Sequence, residues 1–418
     1  MRRFLFPVWL VALVSAAGCS SATVVGVPLS NARSAAHGVA PALSFQVLHV
    51  FEDGNDGAEP YAALLLNNGA LYGTTYAGGD SNDAGTVYRI TQGNAYSIIH
   101  RFVRQAPPGH RANPDGGLVS DPAGNLYGTT TEGGPMHMGT VYKINPAGQV
   151  ITLHTFTGSD GDFPYATLLR DTAGNLYGTT KYGGASACTC GTVFKIDSTG
   201  RESVLYSFAG GTDGSGPYGG VVRDAQGTLY GTTLTGGSSH CVGEGCGIVF
   251  KIDSHGHETV LHRFPNSAND GGHPGDTLLF GPDGNLYGTT DSGGTVDRGT
   301  VFKIDKAGHE TVLYNFTGGS DGAGPFAGLI QGAAGKFLGT TEFGGGTQCQ
   351  LGCGTVFELD SLGHETVLYA FTGGADGAYP IAGVIADAAG VLYGTTSQNG
   401  DAECRNGVGC GALFKLKP

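Results

Sequence analysis

Glycoside hydrolysis needs two carboxyl groups, one to donate a proton and one to act as base or nucleophile. Asp276, Asp291 and Glu342 could form such a cluster, because each stands where other copies of a recurring pattern carry a different residue. His110-Arg111 replaces the Asp-Gly of those copies, and a base beside a cation would suit a lyase acting on a uronate. Met136-His137-Met138 holds both methionines other than Met1, and thioethers with imidazole suit copper. Three successive residues of an extended chain cannot all face one ion, so no metal site is assigned. His273 is a histidine outside the pattern. With Tyr76, Lys181, Asp291 and Glu342 it marks the expected ligand-binding face. His-Glu-x-x-His and phosphate-loop motifs are missing from the sequence, and no cofactor is expected.

The elements that must position these residues come from repetition. Leu-Tyr-Gly-Thr-Thr recurs with its tyrosine at Tyr72, Tyr127, Tyr177, Tyr230, Tyr287 and Tyr393, and Phe337-Leu338-Gly339-Thr340-Thr341 fills the gap. The copies lie about 50 residues apart, a period that means stacked or radial supersecondary units. In the sixth copy four strand-sized runs are expected, 327–331, 336–341, 354–360 and 365–371, rich in Val, Thr, Tyr, Phe and Leu. Tight turns of the Asp-x-x-Gly kind join the first pair and the last pair. Seven such units make an all-β, seven-bladed β-propeller of four-stranded antiparallel blades. The first unit is preceded by a fourth-strand copy, Phe45 to Phe51, and the last stops after its third strand. The N-terminal strand is therefore expected to complete the last blade. The two longer loops of each unit fall on one face, where a site belongs.

Recurrence also sorts the polar residues. Asp56, Asp160, Asp213, Asp270, Asp321 and Asp376 repeat in the entry loops and read as turn formers rather than a carboxylate ring. His49, His100, His154 and His262 share a fourth-strand position with Tyr206, Tyr314 and Tyr369 and read as packing residues.

Residues 1–19 have a basic start, an apolar stretch from Phe4 to Ala17 and Gly18-Cys19, the pattern of a secretory signal. Ala16 to Cys19 is similar to a lipobox in which Cys19 would be acylated. Residues 20–42 read as a flexible tether, and 43–418 as the propeller. Of nine cysteines, eight fall in local pairs, Cys188/Cys190, Cys241/Cys246, Cys349/Cys353 and Cys404/Cys410, each in the loop before a third strand. In an exported chain such pairs read as disulfides.

Phe371-Thr372-Gly373-Gly374-Ala375-Asp376-Gly377, Leu392-Tyr393-Gly394-Thr395-Thr396 and Gly299-Thr300-Val301-Phe302-Lys303-Ile304 resemble the blocks of the GloVer (Gloeo/Verruco-type) tandem repeat family of bacterial exported proteins. The resemblance covers nearly all of 43–418. It implies a propeller-like fold and an extracytoplasmic location, and it carries no assigned activity.

Charged residues are 14% of the chain, against roughly 25% in typical domains, so a disordered polyelectrolyte is excluded. The net charge of −13 without a basic run argues against nucleic acid or an anionic membrane surface as partner. The expected protein is a monomeric, exported surface or periplasmic module, lipid-anchored to an outer membrane or cell surface, or otherwise secreted. Its long-loop face is expected to bind a glycan, a protein or a small extracellular ligand. Alternatives are a polysaccharide-acting hydrolase or lyase at the channel mouth and a purely structural envelope protein.

Overall fold

Gly-Thr-Thr explains itself once the third strand is placed beside it. In the computed structural model each glycine of this motif pairs with an aromatic residue of the third strand, as Gly288 does with Phe302 and Gly339 with Phe357. A Cβ on the glycine would stand 2.5–2.7 Å from the ring in the five blades that carry Phe. The next threonine reaches sideways, Thr289 Oγ1 donating to Ala327 O at 2.9 Å and Thr179 Oγ1 to Gly219 O at 2.9 Å, each in the following blade. The last threonine stays within its blade, Thr290 Oγ1 meeting Thr300 Oγ1 at 2.8 Å. One motif thus packs a ring, ties two blades together and locks two strands.

The structure describes residues 43–80, 83–103, 112–185, 187–237, 245–265, 267, 269–400, 404 and 408–417. Seven four-stranded antiparallel sheets occupy 65–101, 119–155, 169–207, 222–263, 279–315, 330–370 and 385–417, the last taking its fourth strand from the N-terminal side. That strand, Ser44–Val50, pairs antiparallel with Ala412–Lys417, so the ring closes as expected and no open edge remains where it meets itself. Phe45 stacks on Tyr369 with ring centroids 4.0 Å apart, anchoring the closing strand to blade six.

Between blades, the Phe that ends each fourth strand meets the third-strand aromatic of the next blade edge to face. Examples are Phe264–Phe302 at 5.1 Å, Phe316–Phe357 at 5.1 Å and, across the closure, Phe51–Tyr88 at 5.3 Å. Such pairs contribute about 0.5–1.5 kcal/mol beyond the area they bury. The glycine opening each third strand has φ between 88° and 99° and lies under the proline of the next blade, as Gly299 under Pro325. A side chain there would be strained by the backbone and blocked by the ring.

The inner strands are shorter than the sequence implies. In blade six only Ile330–Gln331 joins the ladder, not 327–331. The reason is competition for the backbone, because Ala327 O accepts from Thr289 and Gly328 N donates to the Asp276 carboxylate at 2.8 Å. These groups bond the neighbouring blade rather than their own.

The repeated aspartates and histidines are committed to local bonds. Asp160, Asp270 and Asp56 accept from His154, His262 and His49 at 2.9–3.0 Å, while Asp213, Asp321 and Asp376 accept from Tyr206, Tyr314 and Tyr369. Turn former, and not carboxylate ring, is the role these bonds give them. On the opposite, tight-turn face Asp253, Asp305 and Asp360 hold the rings of His257, His309 and His364.

Candidate functional site

Proline opens the approach to every inner strand, and the residue after it points at the central axis. In blades one to seven that residue is Tyr61, Asp115, Tyr165, Tyr218, Gly275, Phe326 and Ile381. Six of the seven line a cavity of about 390 Å³ at the channel mouth, Gly275 being the exception, and Tyr76 and Asp276 complete the lining discussed here. Tyr165 and Tyr218 stack with centroids 4.7 Å apart, and Phe326 meets Tyr218 edge-on at 5.2 Å. Opposite them Tyr61 and Tyr76 lie 5.4 Å apart.

The residue before each proline is held at positive φ, including Glu59, Asn113, Phe163, His273 and Tyr379 at 54–59°. Non-glycine residues in this region cost of order 1–3 kcal/mol and persist where surroundings over-determine them. Here two backbone bonds do so, as with His273 N to Cys246 O at 2.7 Å and Asp291 N to His273 O at 3.2 Å. The residue before each proline is thereby held beside the variable residue after Gly-Thr-Thr.

Asp115 is the group that single-chain reading missed. Burial, then the Glu59 carboxylate, push its carboxyl up to about 7, opposed by the Lys181 ammonium. No hydrogen bond from a described residue offsets this. Tyr61 Oη donates to Glu59 Oε2 at 3.0 Å, so one carboxylate of the pair is hydrogen-bonded and the other faces the cavity. The signal was present in the sequence: Asn113-Pro114-Asp115 puts an acid where the sister copies carry an aromatic or apolar residue.

Of the anticipated acid cluster, Asp276 lines the cavity, but its carboxylate is spent on Gly328 N at 2.8 Å, Thr277 N at 2.6 Å and Thr277 Oγ1 at 3.1 Å. Burial raises it and these bonds lower it. Asp291 and Glu342 are not part of that lining. Burial, then Asp291, push Glu342 up to about 7, and burial raises Asp291 itself. The three thus divide into a braced inner acid and an outer pair. His273 Nδ1 meets Ser292 Oγ at 2.8 Å. Lys181 Nζ lies 5.3–5.5 Å from the ring centroids of Tyr165, Tyr182 and Tyr218. His110 and Arg111 lie outside the described residues, as does Cys19.

Met136 is 54% exposed whereas Met138 packs among the core residues around Val141 and Phe156, so their thioethers point to different surroundings. His154, Asp160 and Glu202 bring possible ligand atoms within 4.8 Å. The same positions recur as Tyr206, Asp213 and Glu258, where a phenol replaces the imidazole, so the arrangement is a blade-to-blade contact before it is a metal site. Disulfides join Cys188–Cys190, Cys349–Cys353 and Cys404–Cys410. Cys246 is also disulfide-bonded, and its expected partner Cys241 lies outside the described residues.

Fold and cavity define a closed seven-bladed propeller with a ligand-sized central mouth. The chain belongs to the Gloeobacter/Verrucomicrobia repeat family, whose model matches residues 30–243 and 241–418. No curated protein sequence matches it. Among solved structures it is similar to the extracellular domain of a hybrid two-component system from B. thetaiotaomicron, at 11% identity over 90% of this chain and 41% of that one, TM-score 0.53. It is also similar to a Bacteroides uniformis protein described as a 6-phosphogluconolactonase, at 16% identity over 81% and 89% of the two chains, TM-score 0.51. At these identities the likeness is one of fold.

Proposed function

We propose that the protein is an exported binding module whose ligand seats in the channel mouth. One observation carries this: the mouth is the place where seven equivalent positions stop being equivalent, and there they enclose about 390 Å³ between aromatic faces. Cavities of roughly 300–1,000 Å³ with a few convergent polar groups are typical of small-molecule sites. The disulfides support an oxidising compartment, in line with the secretory pattern and lipobox-like Cys19 of residues 1–19. A thermal-shift screen of the full chain against soluble glycans, peptides and small extracellular metabolites tests the reading. A ligand should raise the melting temperature, by more as its concentration climbs above Kd, and Tyr165→Ala should abolish the shift. Shifts unaffected by that change would place binding elsewhere.

A second reading, a hydrolase at the same mouth, is favoured by the Glu59–Asp115 pair. A buried carboxyl raised to about 7 beside a second carboxyl is the arrangement glycoside hydrolysis requires. Polysaccharide turnover that disappears in Asp115→Asn would select it, and binding without turnover would select the module.

A further inference from the structure

The lining of the mouth narrows the ligand to one chemical class. This step rests on the reading of the mouth as the binding site. Asp115 and Asp276 line it with carboxyl groups, neither bonded to a cationic side chain among the described residues. A ligand carrying negative charge would meet both at close range inside a concave site, where like charges cost more than in open water. A cationic ligand meets the opposite obstacle. The stacked faces of Tyr165 and Tyr218, which could hold an ammonium by cation–π attraction, already carry the Lys181 ammonium 5.4–5.5 Å from their centroids. A second cation there would be repelled by the first.

A neutral ligand with many hydroxyls suffers neither penalty and uses every group present. Its hydroxyls can donate to Asp115 and accept from Lys181 and the tyrosine phenols. A ring bearing an apolar face can lie against the wall formed by Tyr165, Tyr218 and Phe326, which supplies rigid apolar area while polar edges stay wet. Asp115 gains most, because hydroxyl donors would supply the hydrogen bonds that no described residue gives its carboxyl. We infer that the channel mouth binds a neutral saccharide, one or two sugar rings at a time, stacked on Tyr165 and Tyr218 and hydrogen-bonded to Asp115.

Calorimetric titration of the full chain with cellobiose, maltose and lactose, and in parallel with glucuronate and choline, tests this. At least one neutral disaccharide should bind saturably and about tenfold or more tightly than either charged probe. Tyr218→Ala should weaken that sugar about tenfold, whereas Tyr218→Phe, which keeps the stacking face, should stay within about threefold. A melting curve of Tyr218→Ala close to wild type secures that the loss is local. Preferential binding of glucuronate or choline that is lost in Tyr218→Ala overturns the saccharide class and leaves the mouth as the site. Binding of any probe that ignores Tyr218→Ala overturns the mouth itself. Absence of binding by all three sugars overturns the inference.

Discussion

The walls between blades and the rim of the central cavity are built from the same repeat, yet they behave oppositely. Along the walls, Gly, Thr, Thr and the third-strand aromatic return seven times with nearly the same bonds, from Thr289 on Ala327 to Thr395 on Pro60 across the closure. At the rim, the residue after each proline changes from Tyr to Asp to Gly to Phe to Ile within one molecule. A wall position touches both neighbours, so a change there disturbs two blades. A rim position has one side open to solvent or ligand. Identity therefore marks structure here, and variety marks the surface available for recognition.

The comparison breaks most visibly if the ring can be opened without harm. Deleting Ser44–Val50 exposes the edge Ala412–Lys417, and the expected result is loss of a single cooperative melting transition and association through that edge, read by calorimetry and sedimentation. A fully native melt would mean that blade seven needs no closing strand.

Next in size, Phe302→Ala should cost about 3–5 kcal/mol, because the fully buried ring fills the space left by Gly288 and packs on Phe264. Denaturant unfolding measures it, and ligand affinity of the folded fraction should not change. Tyr165→Ala should do the reverse. If both changes struck stability alike, wall and rim would not be separable.

The pH response follows from carboxyls whose native pKa is raised. Asp115, Glu342, Glu202, Glu258, Glu310 and Glu365 are all pushed up to about 7, in each case first by burial. The native state keeps these protons after the unfolded chain has released them near pH 4, so stability should fall between about pH 4 and pH 7 and level off above. Asp121 and Asp171, lowered by hydrogen bonds against burial, act in the other direction, and their contribution is lost in stronger acid. Melting temperature at fixed ionic strength should be higher near pH 5 than near pH 8, and Asp115→Asn should narrow that difference.

Two smaller changes probe single wall bonds. Thr289→Val removes the donor to Ala327 O and should cost about 1–2 kcal/mol without affecting binding. Tyr142→Phe should stabilise by about 1 kcal/mol, since the Tyr142 hydroxyl is buried with no partner among the described residues while five sister blades carry phenylalanine there. A loss of stability in Tyr142→Phe would show that the hydroxyl has a role the repeat does not reveal.

Much of the molecule could be read from the chain because repetition supplies its own alignment. The seven blades, the N-terminal closure, the loop disulfides and the structural reading of the entry-loop aspartates all rest on comparing positions within one sequence. The same comparison flagged Asp276 and marked Tyr76 and Lys181. Asp115 is not set apart by it as sharply as the His110-Arg111 departure in the same loop, and Asp276, Asp291 and Glu342 stand out alike, because periodicity does not separate positions by depth.

Those differences have one physical source. Strand period, turn chemistry and the Gly-Thr-Thr block act over a few residues and across one neighbour, so the order of residues determines them directly. How far each copy projects toward the axis depends on seven blades meeting at once. Only that meeting decides that Asp276 is braced by Gly328, that six of the seven inner strands shrink to two pairs, and that Tyr165, Tyr218 and Asp115, drawn from three blades, come to face a single space.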